Sequence, residues 1–144
     1  MEKFRVYLDT NMIIDSFINQ AIAIRKGEEA KIPEKLKFFL DIRDKVEFIT
    51  SFLTETEVAR ELIAGHGLDE EQFDILWENF LERLRCRYVE ELKLDKELVK
   101  LPKRIKMKLR TLVNFIHLFV AMKESAYFVS GDNDLIKVVR ENKV

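Results

Sequence analysis

Short apolar segments, each followed by polar residues, alternate along this chain with longer segments of helical periodicity. The first apolar segment, Phe4–Leu8, ends in Asp9-Thr10-Asn11, and the second is Val46–Thr50. After each of them, apolar residues recur at the spacing of an amphipathic helix. Strands that alternate with helices usually pair in parallel, and a parallel sheet needs helices on both faces. The pattern therefore predicts an α/β fold in which helices flank a central sheet in three layers.

The later segments continue this alternation. We expect the third and fourth strands at 86–89 and 126–130, which gives a mostly parallel sheet of about four to five strands. Helices are expected at 12–26, 33–42, 51–64, 69–84, 98–123 and 132–140. Gly27 and the Gly65-His66-Gly67 segment are typical helix stop signals. The chain contains no repeat or linker, so residues 1–144 are predicted to form a single domain.

Composition excludes several classes of protein. Apolar residues make up 47% of the chain and charged residues 35%, a balance that disfavours intrinsic disorder. The net charge of −1 excludes a globally basic coat for nucleic acid but allows a local basic face. A single cysteine, Cys86, excludes an internal disulfide framework. Because we find neither a signal peptide nor a long apolar run, we expect a cytoplasmic protein that does not contact a membrane.

Acidic residues follow the predicted strands, where the ligands of open parallel sheets bind. Asp9 ends the first strand, Glu57 lies early in the helix after the second, and Asp132 and Asp134 follow the fourth. Crowded carboxylates raise one another's pKa values unless a cation neutralises them. Oxygen ligands of this kind favour Mg²⁺ or Mn²⁺. The spacing therefore predicts a divalent metal site at this edge of the sheet.

Each of these acids also has a purely structural interpretation. Asp9 could cap the helix that follows it, and Glu57 stands three residues after Thr54, the spacing of a capping box. Asp132 and Asp134 could form a turn and cap the last helix. The occurrence of acids after three different strands favours one shared site over separate caps.

Four sequence blocks resemble those of PIN domains, and they occur in the family's order. They are Leu8-Asp9-Thr10-Asn11-Met12-Ile13-Ile14-Asp15, Ser51-Phe52-Leu53-Thr54-Glu55-Thr56-Glu57-Val58, Asn114-Phe115-Ile116-His117-Leu118-Phe119-Val120-Ala121 and Phe128-Val129-Ser130-Gly131-Asp132-Asn133-Asp134-Leu135. The resemblance spans nearly the whole chain. It implies a metal-dependent ribonuclease that cleaves RNA phosphodiester bonds with a metal-activated water.

The same resemblance assigns roles to individual residues. It implies that Asp9, Glu57 and Asp132 are catalytic and hold one or two Mg²⁺ or Mn²⁺ ions, together with Asp134 and with Asn114 as a neutral ligand or supporting donor. The side chains expected to orient the carboxylates or a phosphate oxygen are those of Thr10, Asn11 and Ser130.

Two features depart from the family's pattern. Asn114 stands where the third block usually begins with aspartate, and the sequence stops at Val144, where many relatives continue into a final edge strand. The family includes toxins of toxin–antitoxin pairs as well as RNA-processing nucleases, so RNA, an antitoxin protein and a second copy of the chain are the expected partners.

A run of basic residues precedes the third block. It contains Lys100 and then Lys103, Arg104, Lys106, Lys108 and Arg110, with no acid before Glu124. Such a segment can guide a phosphate backbone, with an affinity that falls as salt rises. It could equally be a solvated helix face.

Other interpretations remain open. A PIN-like module with weak catalysis could bind RNA or a protein partner, and Asn114 motivates this alternative. A phosphatase of the haloacid dehalogenase type would need a second aspartate at position 11, where this chain has Asn11. His117 lies three residues after Asn114 and would share its helix face, either as a general base or as a hydrogen-bonded helix residue.

Overall fold

The computed structural model describes residues 3–29 and 31–142, which form four strands and seven α-helices. In chain order these are β1 (Phe4–Leu8), α1 (Thr10–Lys26), α2 (Glu34–Ile42), β2 (Val46–Ser51), α3 (Phe52–Ala59), α4 (Glu70–Leu84), β3 (Arg87–Val89), α5 (Lys100–Arg104), α6 (Leu109–Lys123), β4 (Tyr127–Val129) and α7 (Asn133–Glu141). A π-helical turn, Arg60–Ala64, extends α3, and a 3₁₀ turn, Lys96–Val99, precedes α5. Residues 143 and 144, where many members of the resembled family would continue into a final edge strand, lie outside the described residues.

The four strands form one parallel sheet in the order β3-β2-β1-β4. The chain builds outward from β1 to β2 and β3, and it then returns to place β4 on the other side of β1. The direction of winding therefore reverses between β1 and β4, the position at which open α/β sheets bind their ligands. The predicted three-layer α/β fold is confirmed.

Alternating side chains of the sheet pack into two different helical layers. Leu8 and Phe48 belong to the larger core, which α1, α3 and α4 complete around Trp77. Tyr7 and Ile49 face the opposite layer, where α6 covers them. A third cluster of Leu101, Phe115 and Leu135 joins α5, α6 and α7.

The helix stop signals act where the sequence places them. Gly27 and Gly67 have φ values of 69° and 70°, in the left-handed region that glycine adopts most easily. Asp69 forms a capping box with Gln72 at the start of α4. Pro33 is the N-cap of α2 and not part of its first turn. The helix therefore begins at Glu34, one residue later than predicted.

The region 98–123 is mostly helical, as predicted, but an extended segment after Arg104 divides it into two α-helices. Ile105 is extended, with φ −131° and ψ 137°, and it ends α5, whereas α6 begins only at Leu109. Ile105 and Met107 pack against the cluster of Leu101, Phe115 and Leu135, so the break turns apolar side chains inward. None of the helices within 3–29 and 31–142 is long and apolar enough to cross a membrane.

Candidate functional site

The ends of β1 and β4, which are distant in sequence, meet at the carboxyl edge of the sheet. Asp9 directly follows β1 and is the N-cap of α1, and Asp132 is the N-cap of α7. The backbone N–H of Asp9 donates to the carbonyl of Val129 at 3.0 Å, which holds the end of β1 against the end of β4. The two aspartates thus lie on either side of the point at which the strand order reverses.

Ser130 connects the two aspartates. Its hydroxyl donates to Oδ2 of Asp9 and accepts from the backbone N–H of Asp132 at 3.1 Å. Asn114, on α6, donates from Nδ2 to Oδ2 of Asp132 at 2.9 Å. Asp9, Asn114 and Asp132 have 0, 2 and 7% of their surface exposed, so these contacts form a buried polar chain between β1, β4 and α6. We call it the aspartate cluster.

Glu57 projects from α3 and is held from two sides. Oε1 of Glu57 accepts a hydrogen bond from Oγ1 of Thr10 at 2.9 Å and also contacts Nε2 of His117. Nδ1 of His117 in turn lies 2.6 Å from the hydroxyl of Tyr7, which also contacts Oγ of Ser51 at 2.8 Å. Glu57 is therefore the outer end of a buried chain that begins on β1 and β2.

The electrostatics of the site reflect its burial. Burial raises the pKa of Asp9 above its ordinary value, and the nearby charge of Asp132 acts in the same direction, while the hydrogen bond from Ser130 and the proximity of His117 oppose it. Burial also raises the pKa of Tyr7 to about 12, so its phenol stays protonated at neutral pH. The aspartates thus lie where a bound cation would relieve an unfavourable charge.

The structural and functional interpretations of Asp9 and Asp132 are both compatible with this arrangement. Asp9 caps α1 by accepting from the backbone N–H of Met12 at 3.0 Å, and Asp132 caps α7 by accepting from Leu135 at 3.1 Å. In each case one carboxylate oxygen caps a helix and the other belongs to the aspartate cluster. Capping consequently orients these carboxylates and still leaves lone pairs for a ligand.

The capping-box interpretation of Glu57 is wrong. Ser51, not Thr54, caps α3, where its side chain accepts from the backbone N–H of Leu53. The helix therefore begins three residues earlier than that interpretation required, and Glu57 lies in its second turn, out of reach of the helix terminus.

Two of the predicted site residues lie apart from the aspartate cluster. Asp134 is exposed, and its nearest charged partner is Nζ of Lys108 at 3.9 Å. Asn11 is half-buried, and we find no hydrogen bond of its side chain within the described ranges. Thr10 and Ser130, by contrast, contact the carboxylates they were predicted to support.

Tyr7 is not among the residues predicted for the site, and the sequence leaves the role of His117 open. A tyrosine in a buried strand is a usable signal, because its hydroxyl needs a hydrogen-bond partner away from water. The partners come from Ser51 and His117, which are 44 and 110 positions away, so spacing alone could not identify them.

Part of the basic segment borders the site. Lys108 and Arg110 line a groove of about 360 Å³ together with Thr111 and the segment 131–134. Lys106 lines an adjoining groove of about 280 Å³, which also contains Lys108 and Asp134. Lys103 and Arg104 are exposed on α5 and line neither groove.

The donor set fits a hard divalent cation in its chemistry. Asp9, Glu57 and Asp132 offer only oxygen donors, the type that Mg²⁺ and Mn²⁺ prefer, and no hydrogen bond reaches Oε2 of Glu57 from the described residues. Across residues 3–29 and 31–142, however, no three His, Cys, Asp or Glu side chains already converge as a metal-ligating group. A cation would therefore have to bind aspartate oxygens that already accept hydrogen bonds.

Comparison with models of known protein families, with curated proteins and with solved structures found no match to this chain. The geometry of the site and the sequence blocks that resemble PIN domains are therefore the grounds for a function.

The contact between Asn114 and Asp132 leads to a prediction about stability. In EDTA, Asn114→Asp should lower the free energy of unfolding by about 1–3 kcal/mol, because it removes a buried donor and places a second carboxylate against Asp132. Added Mn²⁺ should then stabilise the variant more than the wild type, since a ligand of the folded state shifts unfolding by mass action. Urea denaturation with and without metal measures both effects.

Asn19→Asp is the matched control, because Asn19 is exposed on α1 and the substitution is the same. It should leave the free energy of unfolding within about 0.5 kcal/mol of the wild type. Equal stabilities of the two variants in EDTA would show that position 114 does not face Asp132 in solution.

Proposed function

We propose that this protein is a Mg²⁺- or Mn²⁺-dependent endoribonuclease. The observation that carries the proposal is that Ser130 joins Asp9 to Asp132 at the reversal point of the sheet, while Thr10, the neighbour of Asp9 in sequence, holds Glu57 beside them from a third segment. Burying Asp9 and Asp132 near each other is unfavourable without a cation, so the arrangement suits metal binding better than stability alone. The resemblance to PIN domains supports the same activity.

Each residue has a distinct part in this proposal. Asp9 and Asp132 hold the cation from the ends of β1 and β4, and Glu57 approaches it from α3. When bound, the ion supplies a nucleophilic water near neutral pH and balances the charge that develops on the phosphate. Ser130 and Thr10 keep the carboxylates in place through their hydroxyls, and Asn114 does the same for Asp132 through its amide.

The basic groove supports RNA as the substrate class. Lys108 and Arg110 border the same groove as Asp132, so a phosphate backbone bound by these side chains would pass next to Asp132. Lys106 extends the basic surface along the adjoining groove, and Lys103 and Arg104 extend it onto α5. Phosphate contacts fix the position of the strand without reading its bases.

A binding module with weak or no catalysis is the second candidate. Asn114 favours it, because its amide adds no negative charge and donates its N–H to Asp132. A site with fewer charges binds divalent cations less tightly. RNA binding that EDTA does not change, in the absence of cleavage, would favour this candidate.

A homodimer and an antitoxin remain predicted partners. Several large apolar side chains are exposed on the helices, among them Phe38, Ile75 and Leu109, at 59, 56 and 76%. Such side chains are compatible with a protein interface, although they are spread over three helices.

Asp9→Asn tests the catalytic part of the proposal. Asparagine caps helices as well as aspartate does, so α1 should stay folded, whereas the site loses one negative ligand. RNA cleavage in Mn²⁺ should fall by more than about 100-fold, beyond the loss typical of a supporting residue. The thermal shift that Mn²⁺ induces should shrink with it.

Asp69→Asn is the matched control, since Asp69 caps α4 by the same kind of contact. It should leave cleavage and the metal-induced shift unchanged. Wild-type cleavage by the Asp9→Asn protein would show that Asp9 is only a helix cap and would contradict the proposal.

Charge reversal tests the basic groove. The pair Lys108→Glu and Arg110→Glu should reduce the slope of log affinity against log salt by about 1.4 if each side chain contacts one phosphate of a single strand. Lys103→Glu with Arg104→Glu, outside the groove, should have a smaller effect. Filter binding of single-stranded RNA in EDTA, at several salt concentrations, measures the slope.

The control is the pair Lys31→Glu and Lys35→Glu. Lys31 is exposed before α2 and Lys35 is exposed on α2, and this pair should leave the slope unchanged. An equal loss of affinity in all three double variants would indicate an effect of net charge alone. The groove would then have no special part in binding.

A further inference from the structure

His117 is a buried polar residue to which the proposed chemistry assigns no part. Its side chain has 0% exposure, yet both ring nitrogens have partners: Tyr7 at Nδ1 and Glu57 at Nε2. Tyr7 is itself fully buried, and its hydroxyl also contacts Ser51 at 2.8 Å and Thr54 at 3.4 Å. The ring of His117 is thus fixed by an anchored hydroxyl on one side and meets a half-buried carboxylate on the other.

The direction of these hydrogen bonds follows from their chemistry. An ionised carboxylate can only accept, so Nε2 of His117 must carry the proton that is shared with Oε1 of Glu57. In a neutral ring Nδ1 is then the acceptor, and the hydroxyl of Tyr7 donates to it at 2.6 Å. Oγ of Ser51 can donate to the oxygen of Tyr7 in turn. The chain therefore runs in one direction, from β2 through β1 and α6 to Glu57.

The two donors on Glu57 share a single oxygen. Thr10 and His117 both contact Oε1, whereas Oε2 receives no hydrogen bond from the described residues. The Glu57 side chain is 31% exposed, so it would sample several rotamers without these contacts. Fixing one oxygen leaves the other in a defined position for a ligand.

We propose that His117, held by Tyr7, is a positioning residue that fixes Oε1 of Glu57 and so presents Oε2 to the divalent cation. This inference rests on the proposed metal-dependent function and adds a supporting side chain to it. Supporting hydrogen bonds of this kind typically change metal affinity or activity by 10- to 100-fold. A purely structural alternative is that the Tyr7–His117 pair, with ring centroids 5.5 Å apart, only joins β1 to α6.

Two substitutions of His117 separate these roles. In His117→Gln the side-chain amide nitrogen can take the place of Nε2 and still donate to Glu57. In His117→Asn the shorter amide takes the place of Nδ1, so it can contact Tyr7 but cannot reach Glu57. Both variants lose the packing of the ring, which makes them matched in their structural cost.

Calorimetric titration of Mn²⁺ into the folded, RNA-free proteins is the test. We expect His117→Asn to weaken Mn²⁺ binding by about 10- to 100-fold, and His117→Gln to stay within about threefold of the wild type. Equal losses in both variants would overturn the positioning role and leave a structural one. His66→Asn, at the end of the helical segment that follows α3, is the control and should bind as the wild type does.

Tyr7→Phe keeps the inference testable if His117→Asn fails to fold, because it removes one hydroxyl and retains the ring packing. It should weaken Mn²⁺ binding less than His117→Asn but measurably, since Nδ1 loses its anchor. Wild-type Mn²⁺ affinity in Tyr7→Phe would overturn the part of the proposal that concerns Tyr7.

A double-variant comparison isolates the coupling with Glu57. In a Glu57→Gln background the carboxylate is gone, so adding His117→Asn should weaken Mn²⁺ binding no further. Independent, additive losses would contradict the proposal.

Cleavage kinetics distinguish this inference from the proposed function. If the wild type binds Mn²⁺ and cleaves RNA, His117→Asn should lower kcat and leave KM nearly unchanged, because His117 does not line the basic groove. If the wild type neither binds Mn²⁺ nor cleaves RNA, the proposed function fails and the positioning role fails with it. If the wild type binds Mn²⁺ and His117→Asn binds it with the same affinity, only the positioning role is overturned.

Discussion

Asp9 and Asp132 are buried carboxylates placed on adjacent strand ends, and the rest of the site is arranged around their charge. Burying two like charges is costly, and the cost falls only if donors or cations surround them. Here the N-termini of α1 and α7 supply backbone donors, and Ser130 and Asn114 supply side-chain donors. These contacts compensate part of the charge and also fix where each carboxylate points.

The order of the strands explains why these acids meet. Because β1 lies between β2 and β4, the residues that follow these three strands share one edge of the sheet. Asp9 comes directly from β1 and Asp132 from the turn after β4, while Glu57 reaches the same region from α3. Asp9 directly follows β1 and Asp132 lies three residues after β4, while α3 begins directly after β2 and carries Glu57 in its second turn. The fold therefore brings the residues together without any long or flexible loop.

Much of this could be predicted from local sequence patterns. The bounds of β1 follow from one apolar run that Asp9 ends, and the ends of α1 and of the helical segment after α3 follow from glycines that adopt positive φ. The break after Arg104 could not be predicted in the same way. It depends on Ile105 and Met107 packing into a cluster formed with α6 and α7, and local propensity does not contain such contacts.

In the site, too, some features follow from local sequence and others depend on tertiary packing. Acids after strands are visible in the sequence, and so is the short segment that places Ser130 beside Asp132. The link from Tyr7 to His117 joins residues 110 positions apart and depends on which face of β1 meets α6. The capping-box alternative for Glu57 failed because Ser51 begins the helix earlier, which the spacing of Thr54 and Glu57 does not indicate. Identifying a donor's partner requires the tertiary packing, whereas identifying a candidate acid does not.

The most direct test of the central claim is a crystal structure of the protein soaked in Mn²⁺, with anomalous data collected at the manganese absorption edge. The account predicts an anomalous peak about 2.1 Å from carboxylate oxygens of Asp9 and Asp132, with Glu57 on the same ion or on a second one. Absence of any peak near these residues at saturating Mn²⁺, with the hydrogen bonds of the aspartate cluster unchanged, would contradict it.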